Sequence, residues 1–175
     1  MRLRIYLQFI VLAIVAAALF GALHDQISYS VSPEYYTRFK FLQFHLLDPA
    51  IPERLRAAGV GVLASWWMGI PLGVLTGAAG FLHRDPRQMR RALLWSLPFV
   101  VAVTLAFALG GLAFGVMRTV PVDLASYRGL YIPAGVEDPA AFLRVGYMHN
   151  FAYLGGAAAV PAAWIFHLAY RRFCR

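Results

Sequence analysis

Charge is scarce in this sequence. Only 14% of its 175 residues are charged, against roughly 25% in an ordinary soluble domain. With 61% hydrophobic residues, that depletion places the chain among membrane proteins before any window is scanned. Cysteine is nearly absent. A single thiol, Cys174, excludes an internal disulfide and a cysteine-built metal site. Lysine is represented by Lys40 alone beside 15 Arg. Acids number eight against 16 bases, leaving a formal net charge of +8. The basic stretches are short and carry no interleaved aromatics, which excludes a nucleic-acid partner. GxSxG, Walker and dinucleotide loops are missing, and so is HExxH. No Asp, Glu, Lys or Arg lies deep within an apolar run. Ion and proton paths ordinarily declare themselves by such residues, so their absence argues against a proton-driven transporter or pump.

What is present is four long apolar runs. Crossing the hydrocarbon core takes about 20 mostly apolar residues. The runs cover about 5–23, 57–82, 92–117 and 145–170. They predict an all-α integral membrane protein, one four-span domain over residues 1–175. The basic start "MRLR" and Ala16–Ala18 also suit a signal peptide, but the first run exceeds the usual apolar length of 7–15 residues, and an uncleaved span is expected. Arg2, Arg4, the loop at 83–91 and the tail hold nine Arg and one acid, Asp85. Loops 24–56 and 118–144 hold seven bases and seven acids. Basic residues concentrated in short segments mark the cytoplasmic side. Both termini are therefore expected in the cytoplasm and the two longer loops in the periplasm, in a bacterial inner membrane, with the lipid bilayer itself as the first partner.

Gly69, Gly73 and Gly77 recur at spacing four. They predict a helix face that a neighbouring backbone approaches closely, in the same chain or in a membrane-protein partner or second copy. Similar faces in spans three and four predict a crowded core. Gln8, Ser65, Thr76 and Thr104 are expected to hydrogen-bond between helices. Pro71, Pro98 and Pro161 are expected to kink or loosen their helices.

The first long loop has structure of its own. In "QISYSVS", Ile27, Tyr29 and Val31 alternate with serines, a period suited to an extended segment. "SPE" then reads as an N-cap, a first-turn proline and an acid. A helix from about Pro33 to Leu47 would carry Tyr35, Phe39, Leu42 and Leu46 on one stripe. It would lie in the headgroup layer or pack as a lid across the bundle's mouth. Asp138 and Pro139 form a second cap, from which one helix would overshoot the membrane or break near Gly146.

Histidines supply the chemistry. His24 and Asp25 end span one; His149, Asn150 and Tyr153 open span four at a similar depth. If these spans are neighbours, the five converge beneath the first loop, with Tyr29, Glu34 and Tyr35 above them. Such a set offers donors, acceptors and a base that titrates near neutrality. It suits a metal, or a quinone or lipid headgroup; it also suits a purely structural fastening of the loop. A competing arrangement pairs His24 with His149 and His83 with His167, the axial ligand count for two b-type haems.

"HDQISYSVSPEYYTRFKFLQF", with "GYMHNFAYLGG" from Gly146, resembles uncharacterised bacterial multi-span inner-membrane proteins. The resemblance covers the first long loop and the adjoining ends of spans one and four. It implies no activity, cofactor or catalytic residue. The function expected is a small membrane protein whose outer face binds a ligand or partner at the His24/His149 level. The alternatives are an accessory or assembly subunit of a larger membrane complex and a haem or other redox protein.

Overall fold

The computed structural model describes residues 1–120 and 131–173. Part of the second long loop and Cys174 lie outside them. No strand occurs among the described residues. Four helices are long and apolar enough to cross a membrane: α1 (Arg2–Val31), α3 (Glu53–Leu82), α4 (Pro86–Arg118) and α5 (Pro139–Phe173). Between α1 and α3 stands α2, three consecutive short pieces, Pro33–Tyr35, Tyr36–Lys40 and Phe41–Gln43.

The helix starts follow from local chemistry. Ser32 caps α2, its side chain accepting from Tyr35 N–H. Asp85 caps α4 by accepting from Gln88 N–H, and Asp138 accepts from Ala141 N–H at the head of α5. Each cap is followed by proline, whose missing N–H costs nothing in the first turn. Proline also keeps the preceding residue out of helical geometry. Ser32 is accordingly extended, with φ −146° and ψ 96°, and it ends α1 as well as starting α2. One residue thus turns the chain.

Packing follows residue size. Leu7, Val11, Val15 and Leu19, one turn apart on α1, are each more than half exposed. An apolar stripe on the outside of a bundle requires a lipid solvent, and the fold is that of a multi-pass membrane protein. The opposite face of α1 lies against α3, and α4 lies along α5. A methyl group built on Gly61 would come within 2.1 Å of the Gly21 carbonyl oxygen, so the α1–α3 crossing is backbone against backbone. Gly69, Gly73 and Gly77 continue this contact against Ile14, Ile10, Ala13 and Phe9 of α1. Of the two coverings this face allowed, the same chain supplies one, through α1.

Several local expectations are corrected. The segment 26–31 is not extended: α1 runs unbroken to Val31. The decisive pattern is polar, because His24, Asp25 and Ser28 are buried at helical spacing, while Gln26 and Ser30 bond Arg54 of α3. α2 stops at Gln43, short of Leu47, because His45 adopts φ 56°. The N–H groups of His45 and Leu46 then return to Leu42 and Phe41, a left-handed helix stop. Tyr36–Lys40 is π-helical, closed by Phe41 N–H on Tyr36 C=O. That wider turn buries Tyr36 and Phe41 together and leaves Leu42 exposed. Thr76 and Thr104 donate to Leu72 and Val100 of their own helices, not across the bundle. α3 tightens to a 3-10 turn at Trp66–Met68 just ahead of Pro71, α4 and α5 stay helical through Pro98 and Pro161, and α5 passes Gly146 without a break. Its 35 residues span roughly 52 Å at 1.5 Å per residue, so about two fifths projects beyond a ~30 Å core.

Candidate functional site

α2 is a lid. Tyr35, Tyr36 and Phe41 form one buried cluster with Ala57 and Val60 of α3 and Phe142 and Val145 of α5. The Tyr36 hydroxyl and Ser28 Oγ of α1 share a 2.5 Å hydrogen bond. Burial, then the nearby Asp25 carboxylate, raises the Tyr36 phenol above its ordinary value, so it stays protonated. Burial also raises Tyr35, whose ring stacks on His149 with centroids 5.2 Å apart.

Beneath the lid, spans one and four are neighbours. The His24 and His149 rings meet edge to face at 4.7 Å. His24 Nδ1 lies 3.0 Å from Asp25 Oδ1, and His149 Nε2 lies 4.0 Å from the same oxygen. His24 and Asp25 are 4% and 2% exposed. Three of their polar atoms, His24 Nε2, Asp25 Oδ2 and His149 Nε2, are buried without a hydrogen-bond partner. Each such atom costs about 1–3 kcal/mol, and more when charged. A fold that gathers three in one place carries a deficit that a ligand can relieve.

The cluster heads a cavity of about 110 Å³ lined by all four spans and by Lys40 of the lid. A buried water needs about 10–15 Å³ on this measure, so the space holds several waters or a slender chain. The core is therefore hollow at its centre, not crowded throughout. Ala13, Ala16, Ala17 and Gly156 line it. Where small residues meet a facing backbone the helices close up; where they face one another across the axis they leave space.

Of the other expected residues, Tyr153 lines the cavity. Asn150 is exposed on the far side of its turn. Tyr29 lies apart, donating a short hydrogen bond to Glu53 with the Arg54 guanidinium over its ring. Glu34 serves the lid: its carboxylate accepts from the backbone N–H groups of Glu137 and Asp138 at 2.9 Å each. Two functional positions were not foreseen. Tyr36 lay off the expected stripe because the π turn shifts the register. Lys40 was read as a wet basic residue; its ammonium instead sits 4.7 Å from the Phe39 ring centroid, and burial pushes its pKa down, partly opposed by Asp25. Among the described residues it is the one cation lining the cavity.

The second histidine pair lies at the opposite end of the bundle. His83 Nε2 and His167 Nδ1 are 3.0 Å apart, and both residues are buried. The pairs His24/His149 and His83/His167 thus form across helices as the haem arrangement requires. Each pair is in direct ring contact, however, and a porphyrin must stand between its two axial ligands. The residues as packed do not fit haem.

No family model matches the chain, and no curated protein or solved structure is significantly similar to it.

Proposed function

We propose that the protein is a multi-pass protein of the bacterial inner membrane, with a periplasmic-side site for the head of a membrane amphiphile. The carrying observation is the combination of three unpartnered buried polar atoms with an apolar cavity leading away from them between the spans. A headgroup oxygen suits the imidazoles and the Lys40 ammonium as donors, and an apolar chain suits the alanine-lined channel. The shared chemistry is that of a quinone or a lipid: a hydrogen-bond-accepting head on a slender apolar tail. The orientation rests on the arginines at the His83 end, which hold eight net positive charges, nine Arg against Asp85, in short segments.

The test uses the purified chain in detergent with a short-chain quinone and, separately, a short-chain phosphatidylglycerol. Gly156 lines the cavity, and a methyl there would meet only Leu72, at 3.7 Å. Gly156→Leu therefore fills the channel without touching the polar cluster. Wild type is expected to gain thermal stability with one of the two probes, and Gly156→Leu to lose that gain. No shift with either probe, or an equal shift in the variant, defeats the reading.

A further inference from the structure

The geometry points to a divalent transition-metal site formed by His24, Asp25 and His149 at the head of the cavity. The assignment rests on the reading that this end of the cavity takes a ligand, and it names the ligand's anchor.

One ligand atom from each of the three residues falls within a sphere where all lie within 4.8 Å of one another. Donors bound at about 2.0–2.2 Å around a tetrahedral ion sit roughly 3.3–3.5 Å apart. The cluster is thus wider than a loaded site by at most about 1.5 Å, a gap that side-chain rotation can close. The closest pair, His24 Nδ1 and Asp25 Oδ1, is at hydrogen-bond distance, 3.0 Å, a contact that an ion between them would replace. Two imidazoles and a carboxylate are the donor set that zinc, iron(II) and other first-row divalent ions accept, with coordination left open for a further ligand.

Three further observations favour an ion over a structural fastening. A fastening would pair all the polar atoms, yet beyond the His24 Nδ1–Asp25 Oδ1 hydrogen bond the atoms His24 Nε2, Asp25 Oδ2 and His149 Nε2 have no hydrogen-bond partner. The ligands come from two spans held from outside the cluster. α1 is fixed by the Gly21–Gly61 crossing, and His149 is fixed by the stacked Tyr35 ring of the lid. Finally, the open side of the cluster is the cavity itself. An ion there takes over from the ligating imidazole nitrogens in meeting the entering head, beside the Lys40 ammonium, and the protein's own contribution is to keep its free position facing the channel. The His83/His167 pair lacks this character. It has no carboxylate in the group, and one nitrogen of each ring is engaged with the other, so although His83 Nδ1 and His167 Nε2 are also without a hydrogen-bond partner, it offers two ligands at most.

The experiment uses the full chain in detergent, stripped with chelator, with cobalt(II) and zinc(II) alone as probes. Saturable binding of one ion per chain is expected, with visible ligand-field bands for cobalt that zinc displaces. Asp25→Asn and His149→Gln should each weaken binding at least tenfold, whereas His83→Gln and Gly156→Leu should leave it unchanged. Unsaturable binding, equal affinity in the Asp25 and His149 variants, or loss in His83→Gln instead overturns the assignment. If either cluster variant fails to elute as a folded species, copper(II) bound to the His83→Gln protein replaces it. Its spin-resonance spectrum should show coupling to two imidazole nitrogens, and none or one refutes the site. Because Gly156→Leu blocks the channel and spares the ligands, metal binding without amphiphile binding and the reverse are separate, readable results.

Discussion

Glu34 illustrates how one side chain can hold two loops together. Its carboxylate receives two backbone N–H groups from the start of the α5 cap region, and these hold its pKa below the ordinary carboxylate value of about 4.3. The folded pKa being the lower one, the stabilisation is complete above the ordinary value and disappears as pH falls through the folded one. Acid titration of unfolding should therefore show a steeper loss of stability between about pH 5 and pH 3 in wild type than in Glu34→Gln. Parallel curves would mean that the two N–H contacts contribute nothing to holding the lid. The residue was legible as a first-turn acid behind Ser32 and Pro33. Its partners were not, because they lie more than a hundred residues away. Lys40 was hidden for a different reason: exposure of a lysine in a loop is the safe expectation, and the aromatic faces of Phe39 and Tyr35 around it, with a hydrogen bond donated to Gln43 Oε1, make a half-buried ammonium tolerable.

At the scale of elements, the α1–α3 crossing determines where the site's first half stands. Each of Gly21 and Gly61 is filled by the other's backbone. Gly61→Ala has no flexible side chain to displace, so the helices must separate. Overpacking of this kind costs about 1–3 kcal/mol. The variant is expected to unfold at lower temperature and to weaken the α1-borne His24 and Asp25 contacts. Unchanged thermal unfolding in detergent would show that the crossing is looser than the geometry implies. This crossing could not be paired from sequence, since glycine spacing says which face is smooth but not which helix covers it. The lid was half legible. Its capped start is written in Ser32–Pro33–Glu34, but the π turn at Tyr36–Lys40 has no local signal. It exists because Tyr36 and Phe41 both gain burial against α3 and α5 only when the helix widens by one residue.

For the whole molecule, the two ends differ in kind. One carries arginines and the His83/His167 contact, the other the lid and the His24 cluster. Four crossings place both termini at the His83/His167 end, and the proposed orientation puts that end in the cytoplasm. Asp48 is exposed in the turn after the lid, so Asp48→Cys should react with a membrane-impermeant maleimide in intact cells stripped of their outer membrane. Cys174, the sole native thiol, should react only after permeabilisation. The reverse labelling pattern would turn the protein over and move the candidate site to the cytoplasmic face.

The amino-acid sequence determined the four spans, their approximate limits, the capped starts at Ser32 and Asp138, and which histidines share an end of the bundle, His24 with His149 and His83 with His167. All of these are set by hydropathy along the chain and by side chains acting within one turn. The tertiary structure decided the rest. It brought α1 beside α5, so that His24 and Asp25 meet His149. It laid α2 over them as a lid, and it left a cavity where small residues face one another. These outcomes depend on which smooth face closes on which backbone, a choice made between helices distant in sequence and in a lipid solvent that favours no pairing by hydrophobicity alone.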